Sequence, residues 1–175
     1  MCGRRGGWLT ALGSCALLFG CQRQGPPDAV LVAPQASTLA LRVPLPEGWS
    51  AQSTAGEGLR AGPPGRLILR IDRRAGEASS FLSAGQLRTQ FEQEIKPVRT
   101  STQIEKNTES TAIIVFSFTA PGEVGEQVVM LGAKRISNDL FLCASSPGRD
   151  LFEARSAAQA CEDLSIQPRG DAGRG

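Results

Sequence analysis

The chain has 175 residues, 41% hydrophobic and 21% charged, the balance of a globular domain rather than a disordered segment. Histidine and tyrosine are both absent, which removes the commonest general base, the commonest neutral metal ligand and phenolic acid–base chemistry. The formal charge of +2 comes from Arg4 and Arg5; from residue 21 onward 17 basic residues meet 17 acidic ones, with no stripe to attract nucleic acid or anionic lipid.

The N-terminus reads "MCGRRGGWLTALGSCALLFG". Two arginines, an apolar run from Trp8 to Phe19 and a small residue, Gly20, form the n-region, h-region and cleavage site of a secretory signal peptide. A transmembrane helix needs roughly 20 apolar residues, and this run is shorter, carries Gly13 and Ser14 in its middle, and has no stop-transfer pattern after it. Leu18-Phe19-Gly20-Cys21 resembles the bacterial lipobox, with an apolar residue three before, and a small residue just before, a cysteine that becomes acylated. Phe19 departs from that family pattern, which has a smaller residue there. Leu12-Gly13-Ser14-Cys15 also matches, but choosing Cys15 shortens the h-region to a few residues and leaves "ALLFG" on the mature surface. The resemblance implies a diacylglyceryl thioether on Cys21, an acylated α-amine and anchoring to a membrane without spanning it, since two or more acyl chains give stable attachment. Gln22, in place of an aspartate, implies the outer membrane rather than the inner.

With Cys2 and Cys15 removed and Cys21 acylated, Cys143 and Cys161 remain, an even pair in a compartment that permits disulfides. The pairing is expected; two buried free thiols are the alternative. Two cysteines without histidine do not complete a metal shell, so no metal is expected.

From Gln22 to Ser37 the segment "QRQGPPDAVLVAPQAS" reads as a proline-rich tether, with "AVLV" only a weak edge-strand candidate. "TLALRVPL" alternates as a strand and ends at the turn "PEGW". "GLRAGPPGRLILRIDRR" predicts a hairpin around Gly62-Pro63-Pro64-Gly65, with Leu67, Leu69 and Ile71 on one face. Ser83 and Gln86 form a capping-box pattern, Leu82 and Leu87 occupy the staple positions, and Leu87, Phe91 and Ile95 make one helical stripe that Pro97 ends. "VRTSTQIEKN", "TAIIVFSFTA", "QVVMLGAKRI" and "LFLCASS" predict an antiparallel meander, the second strand apolar on both faces and therefore covered on both sides. "GRDLFEARSAAQACEDLSI" predicts a last helix with Leu151, Ala154, Ala158 and Cys161 along one side, which the disulfide would staple to the sheet.

The order β-β-β-α-β-β-β-β-α predicts an α+β domain, an antiparallel sheet flanked by helices. The expected organisation is a signal peptide at 1–20, a tether at 21–37, the domain at 38–167 and a disordered tail at 168–175. "VPLPEGWS", the helix near "FLSAGQL", the two central strands and "LFLCASSPGRDLFEARSAAQACEDLSI" together resemble PsbP-like and DcrB-like envelope lipoproteins. That resemblance implies an α/β/α sandwich and an accessory, assembly or adaptor role, with no shared catalytic residues.

Catalytic patterns are absent from the sequence: it has no Gly-x-Ser-x-Gly elbow, phosphate-cradling loop or dinucleotide fingerprint. Lys96, Lys106 and Lys134 are the only lysines for a Ser/Lys dyad, and Lys134 beside Arg135 reads as a solvated face. Glu92 with Glu94, and Glu162 with Asp163, have helical spacings at which side chains do not meet. Glu123 and Glu126 read as turn solubilisers, Arg169-Gly170-Asp171 as a chance match in a tail, and Phe116, Phe141 and Trp49 as core rather than pocket. The expectation is a non-catalytic, lipid-anchored binding or assembly module. Its partners would be the membrane, through Cys21, and an envelope protein, with no nucleic acid, metal or cofactor. A small-ligand carrier or envelope enzyme is the alternative.

Overall fold

A computed structural model describes residues 30–32, 39–54 and 58–168. Cys15, Cys21, the signal peptide, most of the tether and the Arg169-Gly170-Asp171 tripeptide lie outside the described residues. The elements run β1 (Val30–Val32), β2 (Leu39–Val43), β3 (Ser50–Ser53), β4 (Leu59–Gly62) and β5 (Leu69–Arg74), then a 3-10 turn (Ala78–Ser80) and α1 (Ala84–Ile95). They continue through β6 (Arg99–Asn107), β7 (Thr111–Thr119), β8 (Gln127–Ile136), β9 (Asp139–Ser145), α2 (Leu151–Glu162) and β10 (Ser165–Pro168).

Seven strands form one antiparallel sheet in the order β3-β4-β5-β9-β8-β7-β6, and β1-β2-β10 form a second, three-stranded one. The side-chain period of two sorts the large sheet into two cores. Ile113 and Val115 of β7, Met130 of β8, and Phe141 and Cys143 of β9 pack under α2 and the small sheet, through Ala154, Ala157, Ala158, Leu41 and Val43. Ala112, Ile114, Phe116, Phe118, Val129, Ala133 and Leu140 form the other core, under Ala84, Leu87 and Phe91 of α1. The domain is thus α+β, an antiparallel sheet with one helix on each face. β7 is covered on both sides, as its two apolar faces require, although it is the penultimate strand rather than the middle one.

α1 begins where its sequence places it. The Ser83 side chain accepts from the Gln86 N–H at 3.3 Å, while Gln86 accepts from the Ser83 N–H at 2.8 Å. Phe91 meets Phe116 and Phe118 edge-on, with ring centroids 5.2 and 4.9 Å apart. The stripe runs out at Ile95, which is exposed, and Lys96 closes the helix in the left-handed conformation ahead of Pro97. Arg88 ties the helix to the edge strand, donating to Glu92 at 2.7 Å and to Thr102 and Thr100 of β6 at 2.7 and 2.5 Å.

Four expectations need correcting. "AVLV" pairs: β1 lies antiparallel to β2 with Val30 opposite Val43, so the expected tether contains a strand. β3 was not legible as a strand because "SAQS" has no apolar alternation; it is a short polar edge held by β4 alone. Leu67 does not join Leu69 and Ile71: the Ile68 N–H returns to the Ala61 carbonyl at 2.9 Å, Ile68 takes the inward position, and Leu67 is left 45% exposed. The last helix stops at Glu162 rather than running to Ile166. Ser165–Pro168 pair with β2, with Pro168 at the end of an edge strand, where a missing N–H is tolerated.

Candidate functional site

The one predicted pair that lies within the described residues is joined: Cys143 of β9 and Cys161 of α2 form a disulfide, with Cα atoms 6.2 Å apart. Both residues are buried. The strand facing them makes room, since Gly132 of β8 stands opposite Cys143, and a Cβ there would come 3.0 Å from the Cys161 sulfur and 3.5 Å from the Cys143 Cβ. Glycine inside a strand marks such a close approach. The buried side of α2 is Ala154, Ala157, Ala158, Ala160 and Cys161, small residues that let the helix lie close to the sheet.

The remaining sequence candidates are mostly structural. Lys134 and Arg135 do not form a solvated face. Both are half-buried; the Lys134 ammonium donates to the Glu162 carbonyl at the end of α2, and the Arg135 guanidinium lies 5.0 Å over the Phe81 ring. Burial pushes the Lys134 pKa down, and the nearby Asp163 and Glu162 only partly offset it. Lys106 pairs with Glu162, and Asp163 accepts from Gln159. Glu92 is held below the usual carboxylate range chiefly by its hydrogen bond from Arg88. Glu126 accepts from the buried Ser117 hydroxyl at 2.6 Å, so it does more than solubilise a turn. Phe116 and Phe141 sit in cores on opposite faces of the sheet and cannot line one pocket; Trp49 packs beside the Phe141 core.

What the sequence reading missed is a concentration of exposed apolar side chains at one end of the large sheet. At that end β4, β7 and β9 finish and β5, β6 and β8 begin, as shown by the pairs Leu69 with Ser145, Arg99 with Thr119, and Gln127 with Phe118. α1 finishes there and α2 starts there. Among the described residues the exposed large hydrophobics are Leu67 at 45%, Ile95 at 36%, Val98 at 76%, Val124 at 90% and Phe152 at 70%, and all of them lie on this rim. The segments that carry Leu67, Val124 and Phe152 touch one another. The Ser146 hydroxyl donates to the Leu67 carbonyl at 2.9 Å, Arg66 pairs with Glu153 at 2.8 Å, and Arg149 donates to the Val124 carbonyl at 3.3 Å. A shallow recess of about 410 Å³ opens beside them, between Glu92, Lys96, Val98 and Thr100.

Two of these residues carry a signal that the sequence contains. Val124 is the lone apolar residue in the charged turn "GEVGE", and Phe152 falls off the stripe that Ala154, Ala158 and Cys161 define. The opposite end of the sheet is polar. There Asp139 pairs with Arg73 at 2.7 Å and accepts from the Gly76 N–H at 3.0 Å. Burial raises the Asp139 pKa, but these two partners outweigh it and hold the carboxyl below its ordinary range.

Among the described residues no group of histidine, cysteine, aspartate or glutamate is placed to hold a metal, and no helix is long and apolar enough to cross a membrane. No protein-family model matches the chain, and no curated protein is similar to it. Among solved structures the chain is similar to LpqN, a protein involved in cell envelope biogenesis of Mycobacterium tuberculosis. The two share 16% identity, the match covers 79% of this chain and 90% of that chain, and the TM-score is 0.43.

Proposed function

We propose that this chain is a lipid-anchored protein of the bacterial cell envelope whose domain serves as a binding or assembly module rather than an enzyme. The observation that carries the reading is Leu18-Phe19-Gly20-Cys21, placed after an arginine-led apolar run and before a polar, proline-rich segment. Cleavage after Gly20 makes Cys21 the first mature residue, its sulfur bearing a diacylglyceryl group and its freed amine a further acyl chain. Gln22 favours the outer membrane over the inner. From Cys21 to Val30 the chain can span at most about 30 Å, so the domain stays close to the bilayer that holds its anchor.

Two features of the domain support the module reading. Its shifted titratable groups are occupied in structural pairs: Lys134 at the end of α2, Glu92 with Arg88, and Asp139 with Arg73. Among the described residues the exposed large apolar side chains gather at one rim, as an interaction surface requires, where single scattered ones would not. The helix on each face of the sheet also suits the resemblance to PsbP-like and DcrB-like lipoproteins, whose roles are accessory and adaptor ones. The partner expected is another envelope protein.

Replacing Cys21 with Ser tests the anchor. The expected result is loss of fatty-acid labelling and release of the protein from the membrane fraction; unchanged labelling overturns the reading. Crosslinking in intact envelopes, followed by pull-down, identifies the partner, and recovery of the chain alone argues against an assembly role.

A further inference from the structure

The geometry points to Arg60 and Arg70, side by side on the open half of the large sheet, as the receptor for one acidic side chain of the partner protein. The inference rests on the module reading and deepens it, by naming the chemistry that the partner presents.

The two faces of the sheet are covered unequally. α2 and the small sheet lie over one face, where Leu59 and Ala61 of β4 and Leu69 and Ile71 of β5 are buried. On the other face α1 packs on β6, β7 and β8, and no residue of β3, β4 or β5 enters the core beneath it. The side-chain period of two therefore turns Gln52, Arg60 and Arg70, all exposed, onto an uncovered surface. Register makes them one row, with Gln52 opposite Arg60 and Arg60 opposite Arg70.

Like charges directly across an antiparallel pair, with Cβ atoms about 5 Å apart, destabilise a sheet. The carboxylates at hand relieve this only in part. β3, β4 and β5 hold a single one, Asp72, and it is bound to Arg70 at 2.7 Å. Arg74, on the same face, pairs with Glu77 at 3.5 Å. Among the described residues the Arg60 side chain has neither an ion pair nor a hydrogen bond, and the exposed Glu94 of α1 joins neither arginine. Three arginines thus meet two carboxylates, and the surplus charge stands at Arg60.

Beside the pair the surface is recessed. A hollow of about 190 Å³ opens between Arg60, Arg70, Leu67 and Ser146, smaller than the roughly 300–1,000 Å³ of pockets that enclose a small-molecule ligand. It has room for one side chain. A carboxylate placed there meets two guanidinium forks, whose planar donors match its oxygens, while its methylene stem meets Leu67. Size and charge together select an aspartate or glutamate of a polypeptide over a lipid or a nucleotide.

The test is photo-crosslinking in intact envelopes from benzoylphenylalanine at Gln52, which neighbours Arg60 on the same face and lies outside the hollow. The expected product is an adduct with one protein, attached beside an aspartate or glutamate of that protein. Arg60→Gln is expected to lower its yield about tenfold, the worth of a hydrogen bond to a charged group. Arg60→Glu is expected to abolish the adduct, and changing the partner's acidic residue to Arg to restore it. Arg60→Gln should melt at or above the wild-type temperature, because it removes a like-charge pair; a lower melting temperature overturns the inference by making Arg60 a structural residue. An adduct unchanged in Arg60→Gln, or not restored by the charge swap, overturns the arginine site and leaves the module reading standing. An adduct with lipid, or with a second copy of the chain, overturns the site as well. A chain that yields no adduct from Gln52 and no partner with a lysine-directed crosslinker overturns both.

Discussion

The disulfide offers the sharpest quantitative test of how this domain is held together. Replacing Cys143 and Cys161 together by Ala removes the cross-link without leaving a lone thiol. The bond closes a loop with a sequence separation of 18, for which the restriction of the unfolded chain is worth about 3 kcal/mol. The apolar contact it reinforces is of similar size. Four buried alanines make most of the inner side of α2, and at about 0.8 kcal/mol per buried carbon they also contribute roughly 3 kcal/mol. For a domain of about 140 residues, with an unfolding entropy near 2.1 cal/mol/K per residue, a loss of 3 kcal/mol lowers the melting temperature by roughly 10 °C. The assay is thermal unfolding followed by far-UV circular dichroism, with wild type measured with and without reductant. Wild type in reductant should approach the double variant. Equal melting temperatures for wild type and the double variant, with no effect of reductant, would refute the reasoning.

Further predictions follow from the same geometry. Gly132→Ala places a carbon 3.0 Å from the Cys161 sulfur and should cost about 1–3 kcal/mol through overpacking; in the Cys143→Ala, Cys161→Ala background that cost should shrink, because the opposing sulfur is gone, and a double-mutant cycle measures the difference. Asp139→Asn should destabilise by about 1.5–3 kcal/mol at neutral pH, the worth of a hydrogen bond to a charged group. The Asp139 pKa is lowered by folding, so its stabilisation is present above the unfolded carboxyl value and is lost as pH falls through the folded one. The acid limb of the stability profile should therefore flatten in the Asn variant, and an unchanged limb would count against the Arg73 pair. Ser83→Ala removes the cap of α1 and should cost about 1 kcal/mol in denaturant unfolding, with an unchanged m-value.

Local chemistry made much of this protein legible in one dimension. The capping box of α1 is written in Ser83 and Gln86, which meet within one turn of chain. The burial of β7 on both faces is written in its unbroken apolar run, and the meander from β6 to β9 in the turns between strands. The pairing of Cys143 with Cys161 follows from counting the cysteines that an expected signal peptide and acylation leave over. Errors arose where a residue's state depends on a distant partner. β3 and β1 exist because β4 and β2 offer them open edges, and their own sequences carry little alternation. Ser165–Pro168 leave the helical pattern because β2 has a free edge to fill.

The sequence by itself determined the α+β class, the start of α1 and the cysteine pair, because each depends on residues close in the chain or on composition. Only the tertiary structure decided which exposed apolar residues lie near one another. Leu67, Val98, Val124 and Phe152 lie on four segments far apart in sequence, and antiparallel pairing brings those four segments to one end of the sheet. It likewise decided that Lys134 caps α2 instead of meeting solvent, since the helix end reaches that strand only after the chain has folded back across β7, β8 and β9. Hydrophobic periodicity reports which face of an element is covered; what stands across from it is fixed by strand order, which no local pattern encodes.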